Sequence, residues 1–147
     1  MKNLVSRVDI LDAFPLHPVP AYRLSDAIAE DDYGDRRSAF DEHWETWDQI
    51  ESWQIARSAA FFSYAPPAAA AYLAPRFMLY VLDEISGSID ASASDSGDFF
   101  IWWLQRLRRT NFSDSRFTAK QISIIELFLA QLGGHPDYQI VLEVGGE

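Results

Sequence analysis

The stretch that decides the fold class is residues 118–134, TAKQISIIELFLAQLGG. Its first four residues match a capping box, in which the side chains of Thr118 and Gln121 each accept a hydrogen bond from a backbone N–H at the start of a helix. The pair Gly133-Gly134 is a strong helix stop. Between these signals apolar residues recur every three or four positions, at Ile122, Ile125, Leu129 and Leu132. The stretch therefore predicts an amphipathic α-helix.

Helical periodicity and helix-breaking residues divide the rest of the chain in the same way. Residues 4–14 place Leu4, Val8 and Leu11 at helical spacing, and three prolines between positions 15 and 20 then end the helix. Pro75 is expected to interrupt or kink a later helix. The helix at 98–108 is apolar on nearly every side, which predicts a central position or a covering partner. The remaining helices are predicted over residues 25–30, 35–48, 51–61 and 68–82.

These elements predict an all-α fold, a compact orthogonal bundle of about six helices in one domain spanning residues 1–147. A chain of this length buries roughly 70% of the surface of its unfolded state. Residues 86–97, which are mostly small and polar, predict a flexible loop. The C-terminal tail, 134–147, has strand-like composition between Tyr138 and Val144, so a short C-terminal strand stays open.

Composition excludes several classes of site and partner. The chain has no cysteine, which removes disulfides, thiolate metal sites and cysteine nucleophiles. No apolar run approaches the ~20 residues of a membrane span, and the N-terminus lacks the apolar core of a signal peptide, so a cytoplasmic location is expected. The net charge of −10 disfavours direct binding to nucleic acid or to an anionic membrane.

The negative charge is concentrated between residues 26 and 51, which hold ten carboxylates against two arginines. On a helix capped by Asp35, aromatic residues would form a buried stripe with an anionic edge beside it. Such a face speeds association with a basic partner and rejects wrong partners, although solvation alone also explains the charge. The predicted partner-binding residues are Asp31, Asp32, Asp35, Asp41, Glu45 and Asp48, with Trp44 and Trp47 at the edge.

A second hypothesis is a small enzyme or ligand-binding domain with an aromatic-lined cleft and arginine contacts to an anion. Three of these arginines also suit the C-terminal end of a helix, where cations are favoured without any ligand. The chain contains no nucleophile elbow, phosphate-binding glycine loop, dinucleotide fingerprint or His-Glu-x-x-His motif, so no catalytic residue, cofactor or metal ligand is predicted. The candidate anion-binding residues are Arg76, Arg106, Arg108 and Arg109.

A family resemblance covers most of the chain and centres on residues 61–78. Phe61-Phe62-Ser63 precedes a helix with Pro67-Ala68-Ala69, Tyr72, Pro75 and Phe77-Met78. This pattern resembles the signature of a bacterial family of unknown function, domain-of-unknown-function family 6714, in which an aromatic-Ser-Pro segment leads into a Tyr-Tyr-Leu-Pro-Ala-Phe-Met-like helix. The chain has Leu73 and Ala74 where that family usually has Tyr and Leu. The resemblance implies a compact helical fold and no catalytic residues.

Taken together, the sequence favours a non-enzymatic interaction protein that docks on a basic protein partner. An inhibitor or immunity protein directed against a toxin or a nucleic-acid-binding protein would be one form of this function. The sequence predicts neither the oligomeric state nor the identity of the partner.

Overall fold

The computed structural model of the protein describes residues 5–90 and 94–133, which form an all-α fold without β-strands. The predicted fold class is confirmed, with seven α-helices in these residues where about six were predicted. The predicted strand at 138–144 and the tail 134–147 lie outside the described residues, as do residues 91–93 of the predicted loop at 86–97. The helices are α1 (Arg7–Ala13), α2 (Leu24–Asp31), α3 (Ser52–Ala56), α4 (Phe61–Tyr64), α5 (Pro67–Ile85), α6 (Ser96–Arg109) and α7 (Ala119–Leu132), with 3₁₀ turns at Arg36–Ser38 and Trp47–Gln49.

The longest helix, α5, is the centre of the fold, since α1, α3, α6 and the second 3₁₀ turn all pack on it. Pro75 lies inside this helix and is itself buried, and the predicted interruption is wrong because the helix is continuous from residue 67 to residue 85. The ring of Phe77 packs against those of Phe61, Phe62 and Phe100, with centroids 4.7 to 5.9 Å apart. This aromatic cluster joins α4, α5 and α6 in one core. No helix in the described part of the chain combines the length and apolar character that crossing a bilayer requires.

The last helix, α7, begins and ends as predicted. The Thr118 hydroxyl accepts from the Gln121 N–H at 3.2 Å, and the Gln121 side chain accepts from the Thr118 N–H at 3.0 Å, which completes the capping box. Gln121 also donates from Nε2 to the Ala13 carbonyl at 3.2 Å. The same side chain that starts α7 therefore also ties it to the end of α1.

Helix α6 lies where it was predicted but is covered on one side only. It buries Phe100, Ile101 and Leu104 in the core. Phe99 and Trp102, one helical turn apart on the other side, are 48% and 53% exposed. The apolar character of this helix therefore reflects both a core face and an exposed aromatic face.

The prediction of an α-helix over residues 35–48 is wrong. Asp35 caps only the 3₁₀ turn at Arg36–Ser38, and residues 39–46 are not helical. We call residues 39–50 the tryptophan linker. The Glu42 carboxylate within it accepts from the N–H groups of Leu24 at 3.2 Å and Ser25 at 2.5 Å, at the start of α2. Because this contact caps a different helix, tertiary hydrogen bonding outweighs the helical periodicity of the linker.

Two other predicted helices differ in detail. The segment 51–61 splits into α3 and the short α4 instead of forming one helix. In α1 the predicted stripe is wrong, because Val8 is 72% exposed and Leu11 is 47% exposed. Ile10 and Ala13 are buried instead, and so is Phe14 just after the helix. The buried face of α1 is therefore rotated away from the one predicted.

Candidate functional site

The six carboxylates predicted to bind a partner belong to two separate groups. Asp31, Asp32 and Asp35 lie at the C-terminal end of α2 and just after it. Asp41, Glu45 and Asp48 are exposed positions of the tryptophan linker, which is anchored through Glu42 to the N-terminal end of α2. Since α2 has eight residues, these two ends are about 10 Å apart along the helix axis.

The tryptophans predicted at the edge of this face are buried, as the predicted aromatic stripe requires, and they therefore offer little surface to a partner. Trp47 has no exposed surface, and its indole N–H donates to the Pro15 carbonyl at 3.2 Å. The Trp44 ring is stacked on that of Tyr72. The Arg23 guanidinium lies 4.1 Å from the ring centroid of Trp44. Both rings are thus committed to contacts within the chain.

The C-terminal end of α2 has the more accessible group of carboxylates. Three successive side chains, Glu30, Asp31 and Asp32, are exposed there, where the helix dipole disfavours negative charge. Each accepts a hydrogen bond from a hydroxyl: Tyr22 donates to Glu30, Tyr64 donates to Asp31 at 3.0 Å, and Ser38 donates to Asp32. The hydroxyls partly offset the unfavourable position and hold the carboxylates in place.

The tyrosine hydroxyls respond to these carboxylates. The hydrogen bond to Asp31 raises the pKa of Tyr64, with smaller contributions from burial and from the charge of Asp31. The pKa of Tyr22 is raised mainly by burial and further by its hydrogen bond to Glu30. Both tyrosines therefore stay protonated at neutral pH and act as hydrogen-bond donors to the acidic group.

A surface cavity of about 410 Å³ adjoins this end of α2, and we call it the acidic groove. Asp31 lies on one wall and Phe99 of α6 on another. The Tyr64 hydroxyl is hydrogen-bonded to Asp31, which places its ring next to the groove. Trp102 lies one turn after Phe99 on the same side of α6, so both rings extend the aromatic surface beside the groove. The lining residues are Ile28, Asp31, Arg57, Ala59, Ala60, Ser63 and Phe99.

Arg57, the cation among the described lining residues of the groove, does not neutralise the carboxylate of Asp31. Arg57 lines the cavity, but its guanidinium lies 5.6 Å from the ring centroid of Phe40. Among the described residues it makes no ion pair with Asp31. Half-exposed aromatic rings beside carboxylates match the anchors of protein interfaces, where aromatic side chains supply buried area and charges supply complementarity.

The four arginines of the alternative hypothesis do not converge on one cavity in the described part of the chain. Arg76 is buried, which lowers the pKa of its guanidinium, and it donates to the Ile50 carbonyl at 2.7 Å. Arg108 pairs with Glu126 at 2.7 Å, and the Arg106 guanidinium lies 4.7 Å from the ring centroid of Trp102. Arg109 is exposed at the end of α6. The guanidinium groups of Arg76, Arg106 and Arg108 are therefore each engaged by another residue of the chain.

Two features of the groove were missed at the level of the sequence. Phe99 and Trp102 are separated by three positions, so they share a face of α6 that differs from the face of the buried Leu104. That spacing was available in the sequence and predicts an aromatic face apart from the core. No sequence pattern indicates the role of Tyr64, because its hydrogen bond to Asp31 joins residues that are 33 positions apart in the chain.

Residues 5–90 and 94–133 contain no group of three or more His, Asp or Glu side chains that could hold a metal ion. Comparison with known proteins identifies no matching family model, no curated relative and no similar solved structure. The resemblance to domain-of-unknown-function family 6714 therefore stays a prediction.

Proposed function

We propose that the protein is a non-enzymatic interaction protein that binds a basic protein partner through the acidic groove and the carboxylates at the end of α2. Inhibition of a toxin or of a nucleic-acid-binding protein would be one form of this activity. A cytoplasmic setting, expected from the sequence, is part of the same proposal.

One observation carries the proposal: an exposed carboxylate and a half-exposed aromatic ring line a single cavity. Asp31 and Phe99 line the same groove, although they lie on different helices and 68 positions apart in the chain. A lysine or arginine side chain of a partner can place its apolar stem against the ring and its charged head at the carboxylate. Aromatic contacts supply affinity, and the surrounding negative charge supplies a fast, selective encounter.

The energetic position of the acidic group also supports a role in binding. Glu30, Asp31 and Asp32 lie at the negative end of the α2 dipole, and the last turn of α2 has no basic residue to balance them. Each carboxylate so placed costs roughly 0.3–1 kcal/mol at an exposed helix end. Helix stability alone does not favour this placement, which is consistent with a role in binding.

Affinity capture from the lysate of the native host tests this proposal. The bait is compared with the double charge reversal Asp31→Lys and Asp32→Lys. We expect a basic protein to be retained by the wild type and lost by this variant, because the reversal repels a cationic surface. Retention should also weaken as salt is raised, since exposed charges are screened within about 10 Å at 0.1 M ionic strength.

A matched control separates a local site from general charge. Asp12→Lys with Asp114→Lys changes the net charge by the same amount at exposed positions that do not line the groove. This control should retain the partner as well as the wild type does. Equal retention by all three baits, or equal loss by both variants, would contradict binding at the acidic groove.

A further inference from the structure

A second cavity lies between residues 14–20, the first turns of α5 and the start of α7, and we call it the proline cleft. Its volume is about 320 Å³, within the range of roughly 300–1,000 Å³ that small-molecule sites occupy. Phe14, Val19 and Ala71 give it an apolar surface, while His17 and Arg116 extend from two different loops into its lining. None of the described residues lines both this cleft and the acidic groove.

The charge of the proline cleft is opposite to that of the molecule as a whole. The chain has 22 acidic residues, yet none of those in the described part of the chain lines this cleft. Within the described part of the chain, neither Arg116 nor His17 makes an ion pair or a hydrogen bond. Asp114, two positions before Arg116, lines a neighbouring cavity of about 70 Å³ that Arg116 also lines, but the two side chains are not among the ion pairs of the described residues. Among the described residues, the exposed guanidinium of Arg116 therefore has no ion-pair partner at this apolar cavity.

Two helix N-termini add positive potential at the same place. Ala68, in the first turn of α5, and Thr118, the N-cap of α7, both line the cleft. The α5 N-cap is Pro66, which makes no side-chain cap, so the Ala68 N–H is not bonded by a capping group. Helix N-termini carry partial positive charge and favour anions, in this case in addition to a guanidinium.

The walls of the cleft are held by hydrogen bonds that do not involve any ligand. The Tyr72 hydroxyl donates to the Leu16 carbonyl at 2.7 Å and accepts from the Trp47 N–H at 3.1 Å. The Gln121 side chain bonds the Ala13 carbonyl from the opposite side. These bonds fix residues 13–16 against α5 and α7, so the cavity is formed before a ligand binds.

We propose that the proline cleft binds a small monocarboxylate with an apolar body. The Arg116 guanidinium matches the geometry of a carboxylate with two parallel hydrogen bonds, and the apolar walls take up the rest of the ligand. One permanent cation balances one negative charge, which favours a carboxylate over a phosphate dianion. This site is independent of the proposed partner surface, and either can fail without the other.

Titration of the ¹⁵N-labelled full chain by NMR tests this site, with phenylacetate as the probe and phenylacetamide as its neutral counterpart. Saturable shifts are expected at the backbone amides of Ala68, Ala71 and Thr118. Phenylacetamide should bind at least about tenfold more weakly, because it lacks the charge-assisted pair with the guanidinium. Phenyl phosphate, with its dianionic head, should bind no more tightly than phenylacetate.

Three variants separate the cleft from the rest of the surface. Arg116→Gln should weaken phenylacetate binding about tenfold or more. Lys120→Gln makes the same charge change at a residue that pairs with Asp12 and does not line the cleft, and it should leave the affinity within about twofold. Ala71→Leu places a larger side chain at the apolar wall and should abolish binding while the protein stays folded.

Several results would overturn the proposal. These are equal affinities for phenylacetate and its amide, unchanged affinity in the Arg116→Gln variant, tighter binding of phenyl phosphate, and no saturable binding by the wild type at millimolar concentrations. A folded Ala71→Leu variant that still binds would also contradict the location of the site.

Discussion

The tryptophan linker and the acidic groove both combine aromatic rings with carboxylates but use them in opposite ways. In the linker, the Trp47 ring is fully buried, and Glu42 accepts two backbone N–H groups and the indole N–H of Trp44. In the groove, Phe99 is half exposed, and Asp31 accepts one hydroxyl at the surface. Carboxylates that satisfy backbone donors stabilise the fold, whereas carboxylates held by surface hydroxyls remain available to a partner.

The largest difference is expected between the tryptophans of the two regions. Trp47→Ala should lower the free energy of unfolding by about 3–5 kcal/mol, because it removes a fully buried ring and its bond to Pro15. Trp102→Ala, at a half-exposed position, should lower it by about 1 kcal/mol or less. Urea denaturation of both variants measures the difference, and similar losses would contradict the assignment of one ring to the core and the other to the surface.

The next largest effect is expected at the carboxylate that anchors the linker. Glu42→Gln should lower the free energy of unfolding by about 1–3 kcal/mol, because an amide cannot accept from all the donors at the start of α2 and one of them loses its partner. Glu45→Gln, at an exposed linker position, should leave stability within about 0.5 kcal/mol. If both variants unfold at the same urea concentration as the wild type, Glu42 does not anchor the linker.

The linker also explains where prediction from the sequence stops. The helices α5, α6 and α7 follow from local signals: apolar periodicity, a capping box, and glycine or proline at the ends. The spacing of Phe40, Trp44 and Trp47 is helical too, and the burial of all three is consistent with it. Their conformation is instead set by long-range contacts such as the hydrogen bonds from the backbone of α2 to Glu42. These bonds join residues 17 and 18 positions apart in the chain, so they produce no periodic pattern in the sequence.

The candidate site was predictable only in part for the same reason. The concentration of carboxylates around Asp31 and Asp32 is visible in the composition, and the structure leaves these side chains exposed. The groove itself needs α2, the connection between α3 and α4, and α6 to meet. No local pattern encodes that meeting, so the aromatic side of the site was assigned to Trp44 and Trp47 rather than to Phe99.

The smallest effect concerns Asp35, a half-buried residue three positions after Asp32 in the chain. Hydrogen bonds from the Arg37 side chain and backbone lower the pKa of this carboxyl. Its contribution to stability is therefore present above the unfolded-state pKa of about 3.9 and is lost as pH falls through the lower folded-state value. The melting temperature of Asp35→Asn should lie slightly below that of the wild type at pH 6, and the gap should close towards pH 2. A gap that does not change with pH would contradict this contribution.

The most direct test of the comparison is partner capture by the double variant Phe99→Ala and Trp102→Ala, run beside the wild type and Trp53→Ala. Trp53 is 46% exposed and does not line the groove, so it controls for the loss of an exposed ring. We predict that the double variant stays folded and loses the partner, because anchoring aromatic residues contribute about 2 kcal/mol or more each to an interface. The Trp53→Ala variant should keep the partner. Undiminished capture by a folded double variant would show that the acidic groove is not the binding surface.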